Sequence, residues 1–233
     1  MPLRGKQASG LLTQQKMLRA AVKLFLEKGY EGTTTAEIAR AAGMTPSSFF
    51  RAFPSKEALL LELDKRMFSG QFALAEQHSV AQDPVLLYAV ETAIQLHIAE
   101  LTEPLRELYV TAYTLPSTSA YLYRSTAKRL EGIFGDYLPD AEAKDFYEME
   151  IASAGMMRSF MAVPCDVYFT VERKIARFLE CALKLYNVPV ERRREVTAAV
   201  LQLDLHAMAA GIIRTTVQQA EKGFEAVKAE PAF

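Results

Sequence analysis

Within the twelve residues from Thr45 to Lys56 the chain places one guanidinium, one ammonium and four hydroxyls, on Arg51, Lys56, Thr45, Ser47, Ser48 and Ser55. A guanidinium offers two parallel donors that match the O6 and N7 acceptors of a guanine edge, hydroxyls reach bases or phosphates over a shorter span, and an ammonium pairs with a phosphate as a point charge. The chemistry such groups support is non-covalent recognition of a nucleic acid. Catalysis needs a different constellation. His97 and Glu100 are three apart and share a helix face, a spacing used by carboxylate metal sites in helical bundles. No second such pair accompanies them, since Asp204 and His206 are two apart and project to different sides of a helix, and His78 stands alone. The chain has no glycine-rich phosphate loop and no nucleophile elbow, so no catalytic residue, metal ligand or cofactor is assigned from sequence.

The recognition groups need a scaffold, and the flanking residues supply its start and stop signals. Thr34 with Glu37 three residues on is a capping box, which predicts a short helix from about Thr35 carrying Ile38, Ala39 and Ala42 on one face. Gly43 ends it in the left-handed conformation that glycine adopts at least cost. Thr45 is placed to cap a second helix with Pro46 in its first turn. Phe49 and Phe53 then face inward, leaving Ser47, Ser48 and Arg51 on or near the outward face. Pro54 stops this helix, and Ser55 caps a third that begins Lys56-Glu57-Ala58. Two short helices joined by a tight turn, the second polar and cationic outside, read as a DNA-binding helix-turn-helix.

From about Leu12 to Met67 the chain resembles the N-terminal domain of the TetR/AcrR family of bacterial transcriptional regulators. The resemblance rests on Ala20, Ala21, Leu24, Phe25, Lys28-Gly29-Tyr30, Thr34-Thr35, Ile38-Ala39, Ala42-Gly43 and Phe53-Pro54-Ser55-Lys56-Glu57-Ala58-Leu59. It implies an all-α protein: an N-terminal three-helix helix-turn-helix domain at residues 1–55 and a C-terminal helical bundle at 56–233 for effector binding and dimerisation. It implies too that the helix near 46–53 enters the major groove of a double-stranded operator, with Arg51 as base reader and Thr45, Ser47 and Ser48 making shorter contacts. Thr34, Thr35 and Lys56 match the family's phosphate-contacting positions, and Arg4 and Lys6 are added as arm contacts. Phe50 replaces a usual tyrosine and Ser47 a common glycine, so one phosphate contact is absent, while Phe50 is suited to a thymine methyl or a sugar.

Charge distribution agrees. Residues 1–66 hold eleven Lys/Arg against six Asp/Glu, while the whole chain has a net charge of −1, so a basic front precedes an acidic remainder. MPLRGKQASG lacks the apolar stretch of a secretory signal and is expected to be a flexible basic arm within residues 1–11. No run of about 18 uncharged apolar residues marks a membrane span. Cys165 and Cys181 lack the pattern of a disulfide framework or zinc site, and the expected location is the bacterial cytoplasm.

Beyond Met67 helical periodicity continues, with segments expected near 56–80, 84–101, 104–114, 117–137, 141–163, 170–187 and 190–228, punctuated by prolines. Met149, Met156, Met157 and Met161, with Ser153, Gly155 and Phe160, make a soft helix suited to a small apolar or amphipathic effector, and Tyr88, Tyr109, Tyr113, Tyr121 and Tyr123 are within its region. Arg106, Glu107, Glu150 and Arg158 are expected to be solvated or paired at the surface. One apolar stripe holds Ile175, Phe178, Leu179, Ala182 and Leu185, and another Val196, Ala199, Val200, Leu203, Ala207, Ala210 and Gly211. Such stripes either meet a second copy or pack within the chain; the resemblance implies a homodimeric four-helix interface there. The resulting expectation is a ligand-responsive repressor on a palindromic operator. The alternative is an architectural DNA-binding protein without an effector.

Overall fold

Prolines and capping side chains set the helix boundaries. The computed structural model describes residues 3–76 and 83–229, with side chains over 10–66 and 83–221. Its elements are α1 (Leu3–Lys28), α2 (Thr35–Ala41), α3 (Pro46–Ala52), α4 (Lys56–Glu76), α5 (Pro84–Leu101), α6 (Glu103–Ala112), α7 (Pro116–Phe134), a 3-10 turn (Gly135–Tyr137), α8 (Ala143–Ala162), α9 (Val171–Leu185), α10 (Val190–Leu201) and α11 (Leu205–Ala229). No strand is present among the described residues, so the fold is all-α as expected. Pro46, Pro84, Pro104 and Pro116 each occupy a first helical turn, where a missing N–H removes no bond. Asp83 and Thr102 accept from the backbone N–H groups of Leu86 and Leu105 at 3.1 and 3.3 Å, starting α5 and α6.

Two expectations need correction here. The backbone is helical from Leu3, so the segment expected as a flexible arm over 1–11 continues into α1; the side chains of Arg4, Lys6, Met67 and His78 fall outside those described. The single segment expected over 190–228 is two helices, α10 and α11, bent by 69°. The break follows from Asp204, whose carboxylate accepts from the Ala207 N–H at 2.9 Å and starts a new helix.

The described residues form two apolar cores. The first gathers Met17, Phe25, Ile38, Phe49, Phe53, Leu59, Leu60 and Leu63 from α1–α4. Each buried phenylalanine stabilises by about 1.5–3 kcal/mol relative to exposure. Because α4 contributes three leucines, a boundary at residue 55 divides side chains that pack together. The second core unites α5–α11 around Tyr88, Phe134, Phe146, Phe178 and Tyr186, where Phe134 and Tyr186 stack at 4.2 Å and Tyr88 meets both edge-on.

Among the described residues, hydrogen bonds and ion pairs tie the head to the body at three places. α11 lies along both α1 and α5, and Glu221 bridges Arg19 at 2.5 Å and Lys23 at 3.0 Å. Glu107 of α6 accepts from the Glu31 N–H at 2.6 Å beside Gly29, where φ is +77° and a Cβ would sit 2.2 Å from the Glu107 carboxylate. Glu57 of α4 accepts from the N–H and hydroxyl of Ser117 at the start of α7, at 2.8 and 2.5 Å. Hydrogen bonding to Ser117 holds the Glu57 carboxyl below its ordinary pKa.

Candidate functional site

The helix-turn-helix is built as its residues dictate. Thr34 donates to Glu37 Oε2 at 2.8 Å and accepts from the Glu37 N–H at 3.2 Å, while the Thr34 N–H donates to the same carboxylate at 2.8 Å. Lys28 closes on Glu37 at 2.6 Å, and that bond leads the causes that draw the Glu37 carboxyl down to about 2. Gly43 takes φ +72° in the turn. The Ser55 hydroxyl accepts from Ala58 N–H at 3.0 Å and starts α4. The outer face of α3 presents Ser47, Phe50 and Arg51, all exposed; Phe50 is 62% exposed and touches Phe49 edge-on. An isolated phenylalanine held out on a polar face has apolar surface available for a base methyl or a sugar.

Three expected contact residues are used differently. Thr45 occupies the position before α3, but its hydroxyl caps no backbone group; it lies 3.1 Å from the Ser47 hydroxyl and 2.9 Å from that of Ser48. Ser48 is buried rather than outward, and its oxygen accepts from Arg51 Nη2 at 3.1 Å. Thr45 and Ser48 therefore form a rail that orients the guanidinium. Lys56 turns back under the head: its ammonium donates to the carbonyls of Tyr30 at 2.8 Å and Thr33 at 3.0 Å and lies 4.0 Å from the centre of the Tyr30 ring. It closes the turn between α1 and α2, and two of its three protons have internal acceptors. Thr34 is exposed and Thr35 half-buried at the start of α2.

The body contains a cavity of about 540 Å³, including some open to solvent, between α5, α6, α7, α8 and α9. Tyr113, Ser153 and Met157 line it as expected, with Tyr88 and Glu150. Tyr109, Met149, Met156 and Phe160 do not line it; they pack into or against the body core instead. Sequence reading missed Glu91, Thr92, Gln95 and Arg129. The signal was present, because residues 88, 91, 92 and 95 repeat at helical spacing on an otherwise apolar helix, an arrangement that puts polar groups on one inward stripe.

The wall is polar. Arg129 pairs with Glu91 at 2.5 Å, Tyr113 donates to Gln95 at 2.7 Å, and Ser153 donates to Glu150 at 2.9 Å while accepting from Tyr186 at 3.1 Å. Glu150, expected at the surface, is buried, and burial lifts its carboxyl to about 7. Arg106 pairs with Glu100 at 3.1 Å and exposed Arg158 donates to Thr114 at 2.7 Å, both away from the cavity lining.

Residues 17–63 match the model of the bacterial regulatory proteins of the tetR family. This segment is a TetR-family N-terminal domain. It is 36% identical over 73 residues to the transcriptional regulator TcmR of Streptomyces glaucescens, covering 31% of this chain and 32% of TcmR. It is 33% identical over 92 residues to AcrR of Shigella flexneri, covering 39% and 41% of the two chains. The chain thus spans under half the length of these relatives. The crystal structure of RolR in complex with resorcinol has a similar fold, with a TM-score of 0.63 at 17% identity over 84% of this chain and 96% of that one. The family-model match thus lies in the head, while the likeness to RolR is one of fold with little sequence in common.

The residues expected at a TetR-type dimer interface divide. Ile175, Phe178, Leu179 and Val200 are at most 1% exposed within the single chain, enclosed by the body core. An α9 stripe that fills its own core has no surface to offer a second copy, so these four are corrected to core residues. Leu203 and Ala207 are exposed and Gly211 half-exposed, around the α10–α11 bend. Among the described residues no single helix is long and apolar enough to cross a membrane.

Proposed function

We propose that this TetR-family chain is a transcriptional regulator that binds a palindromic DNA operator as a homodimer and leaves it when a small molecule fills the body cavity. The observation that carries the reading is the outward Ser47–Phe50–Arg51 face of α3, with its guanidinium aimed by buried Ser48. On the operator, Arg51 reads a guanine edge, Ser47 and Phe50 meet neighbouring groups, and the exposed Thr34 hydroxyl meets a phosphate. Dimerisation uses the exposed face of α8, where Ile151, Ala152, Gly155 and Ser159 recur at helical spacing and lead to exposed Val163. Small side chains there permit close approach of a second copy.

The effector is a small molecule bearing hydroxyl or other hydrogen-bonding groups rather than a purely apolar one. The wall sets Glu91, Arg129, Gln95 and Glu150 among its apolar residues, and these donors and acceptors favour a ligand that can hydrogen-bond with them. The resorcinol bound by RolR has this kind of chemistry and belongs in a first screen. The cavity also favours this reading over an architectural DNA-binding role, which needs no such space. Its test is selection of sheared genomic DNA at near-physiological salt, followed by release with a panel of hydroxylated aromatics. Recovery of a shared palindrome and its release by one compound supports the proposal; diffuse retention with no common motif refutes it.

A further inference from the structure

We propose that His97 and His206 form a binding site for a divalent late transition metal ion, zinc foremost, which clips α5 to the start of α11. The two residues are 109 apart in sequence, and only the tertiary fold brings His97 Nε2 to 3.4 Å from His206 Nδ1. Zinc bonds imidazole nitrogen at about 2.0–2.1 Å with tetrahedral angles, which places two ligating nitrogens about 3.3–3.4 Å apart. The observed separation is the tetrahedral one. It is also long for an N–H···N hydrogen bond, and the other nitrogen of His97, Nδ1, is buried with no partner, so the pair without an ion is poorly satisfied. The rings meet at 74°, and His206 is exposed, which leaves an entry path.

The electrostatic setting suits a dication. Three carboxylates act on His97, from Glu172 on α9, Glu100 on α5 and Asp204 before α11. Glu100 is already held by Lys174 at 2.5 Å and Arg106 at 3.1 Å, leaving Glu172 and Asp204 as the local negative charge. Among the described residues no third His, Cys, Asp or Glu completes a cluster with the two rings, so water takes the open positions. Imidazole pairs of this kind select zinc, nickel or copper over magnesium and calcium, which demand oxygen. The clip has a route to the head: α5 carries the cavity residues Tyr88, Glu91 and Gln95, and α11 runs on to Glu221, which grips Arg19 and Lys23 of α1.

The test uses the untagged full chain stripped with chelator and titrated with zinc chloride by calorimetry, with cobalt chloride as a visible-absorption probe of tetrahedral geometry. One ion per chain is expected, with affinity at least about tenfold weaker in His206→Ala and in His97→Gln, each checked for unchanged helicity by circular dichroism. Magnesium chloride should give no saturable binding. Zinc binding of equal strength in both variants, or no saturable heat and no cobalt absorption in the native chain, overturns the proposal. Because the readouts involve neither DNA nor effector, failure here leaves the regulator reading untouched, and failure of that reading leaves this site standing.

Discussion

Replacing Lys56 with alanine separates two roles that sequence alone made equivalent. As a phosphate contact, Lys56 would contribute to DNA affinity and little to folding. In the structure its ammonium instead closes the α1–α2 turn through the carbonyls of Tyr30 and Thr33, at 2.8 and 3.0 Å, and covers the Tyr30 ring at 4.0 Å. A hydrogen bond from a charged donor contributes about 1.5–3 kcal/mol when buried. Lys56 is only half-buried and water can replace it at the carbonyls, so about 1 kcal/mol for each bond is the appropriate scale. The ring contact adds about 0.5–1 kcal/mol. Lys56→Ala should therefore destabilise the head by about 2–3 kcal/mol, roughly a 30- to 150-fold change in its folding equilibrium. Urea unfolding followed by circular dichroism, with the slope checked for constancy, measures the loss directly. Lys56→Met, which keeps the apolar stem, should recover only a minor part. If both variants match the native chain in stability while the salt dependence of DNA binding falls by about one unit, the lysine is a phosphate contact and the reasoning from its internal acceptors is wrong.

The other predictions concern recognition, the head–body junction and pH. Arg51→Ala should cost about 1–3 kcal/mol on the best site and relax preference at one base position, read by competition binding across single-base variants. Ser48→Ala, which frees the guanidinium without touching DNA, should blur the same position by a smaller amount; an unchanged preference removes Ser48 from its aiming role. Gly29→Ala should destabilise by about 1–2 kcal/mol for its left-handed backbone alone, and it also displaces Glu107 from the Glu31 N–H, so a neutral melting temperature contradicts the close approach. Glu150 has a folded pKa lifted to about 7 from an ordinary 4.5, so the folded chain holds a proton that the unfolded chain has released between those values. Its contribution to stability is therefore lost as pH rises from about 4.5 to about 7, and Glu150→Gln should flatten that part of the stability profile. An identical profile in the variant places the titration elsewhere, with buried Asp64, also lifted to about 7, as the next group to replace.

The legible parts of this protein are those in which the determinants lie within a turn or two of one another. The capping box at Thr34 and Glu37, the left-handed Gly43, Pro46 and the cap at Ser55 each act through neighbours three or four residues away, and all four features stand where their spacing placed them. The proline-marked helices of the body were legible for the same reason, and the α10–α11 bend escaped notice because one exposed aspartate set it without proline or glycine.

Partnership across the chain was another matter. A lysine beside a recognition helix looks alike whether it faces a phosphate or folds back onto two carbonyls, and only packing of α4 against the α1–α2 turn chose the second. The stripe on α9 carried the periodicity of a buried face without saying what buried it; the answer is the chain's own core. The methionines of α8 promised a soft pocket, yet of those four only Met157 lines the cavity, and Glu91, Thr92 and Gln95 of α5 and Arg129 of α7 reach it through long-range packing. His97 and His206 meet across 109 residues. Sequence by itself determined most of the helices, the caps at Thr34 and Ser55 and the outward placing of Ser47 and Arg51, because backbone hydrogen bonding and local sterics are short-ranged. Tertiary structure alone decided which charges are paired, which apolar faces are used and where space remains, because those outcomes depend on what another helix brings to the same place.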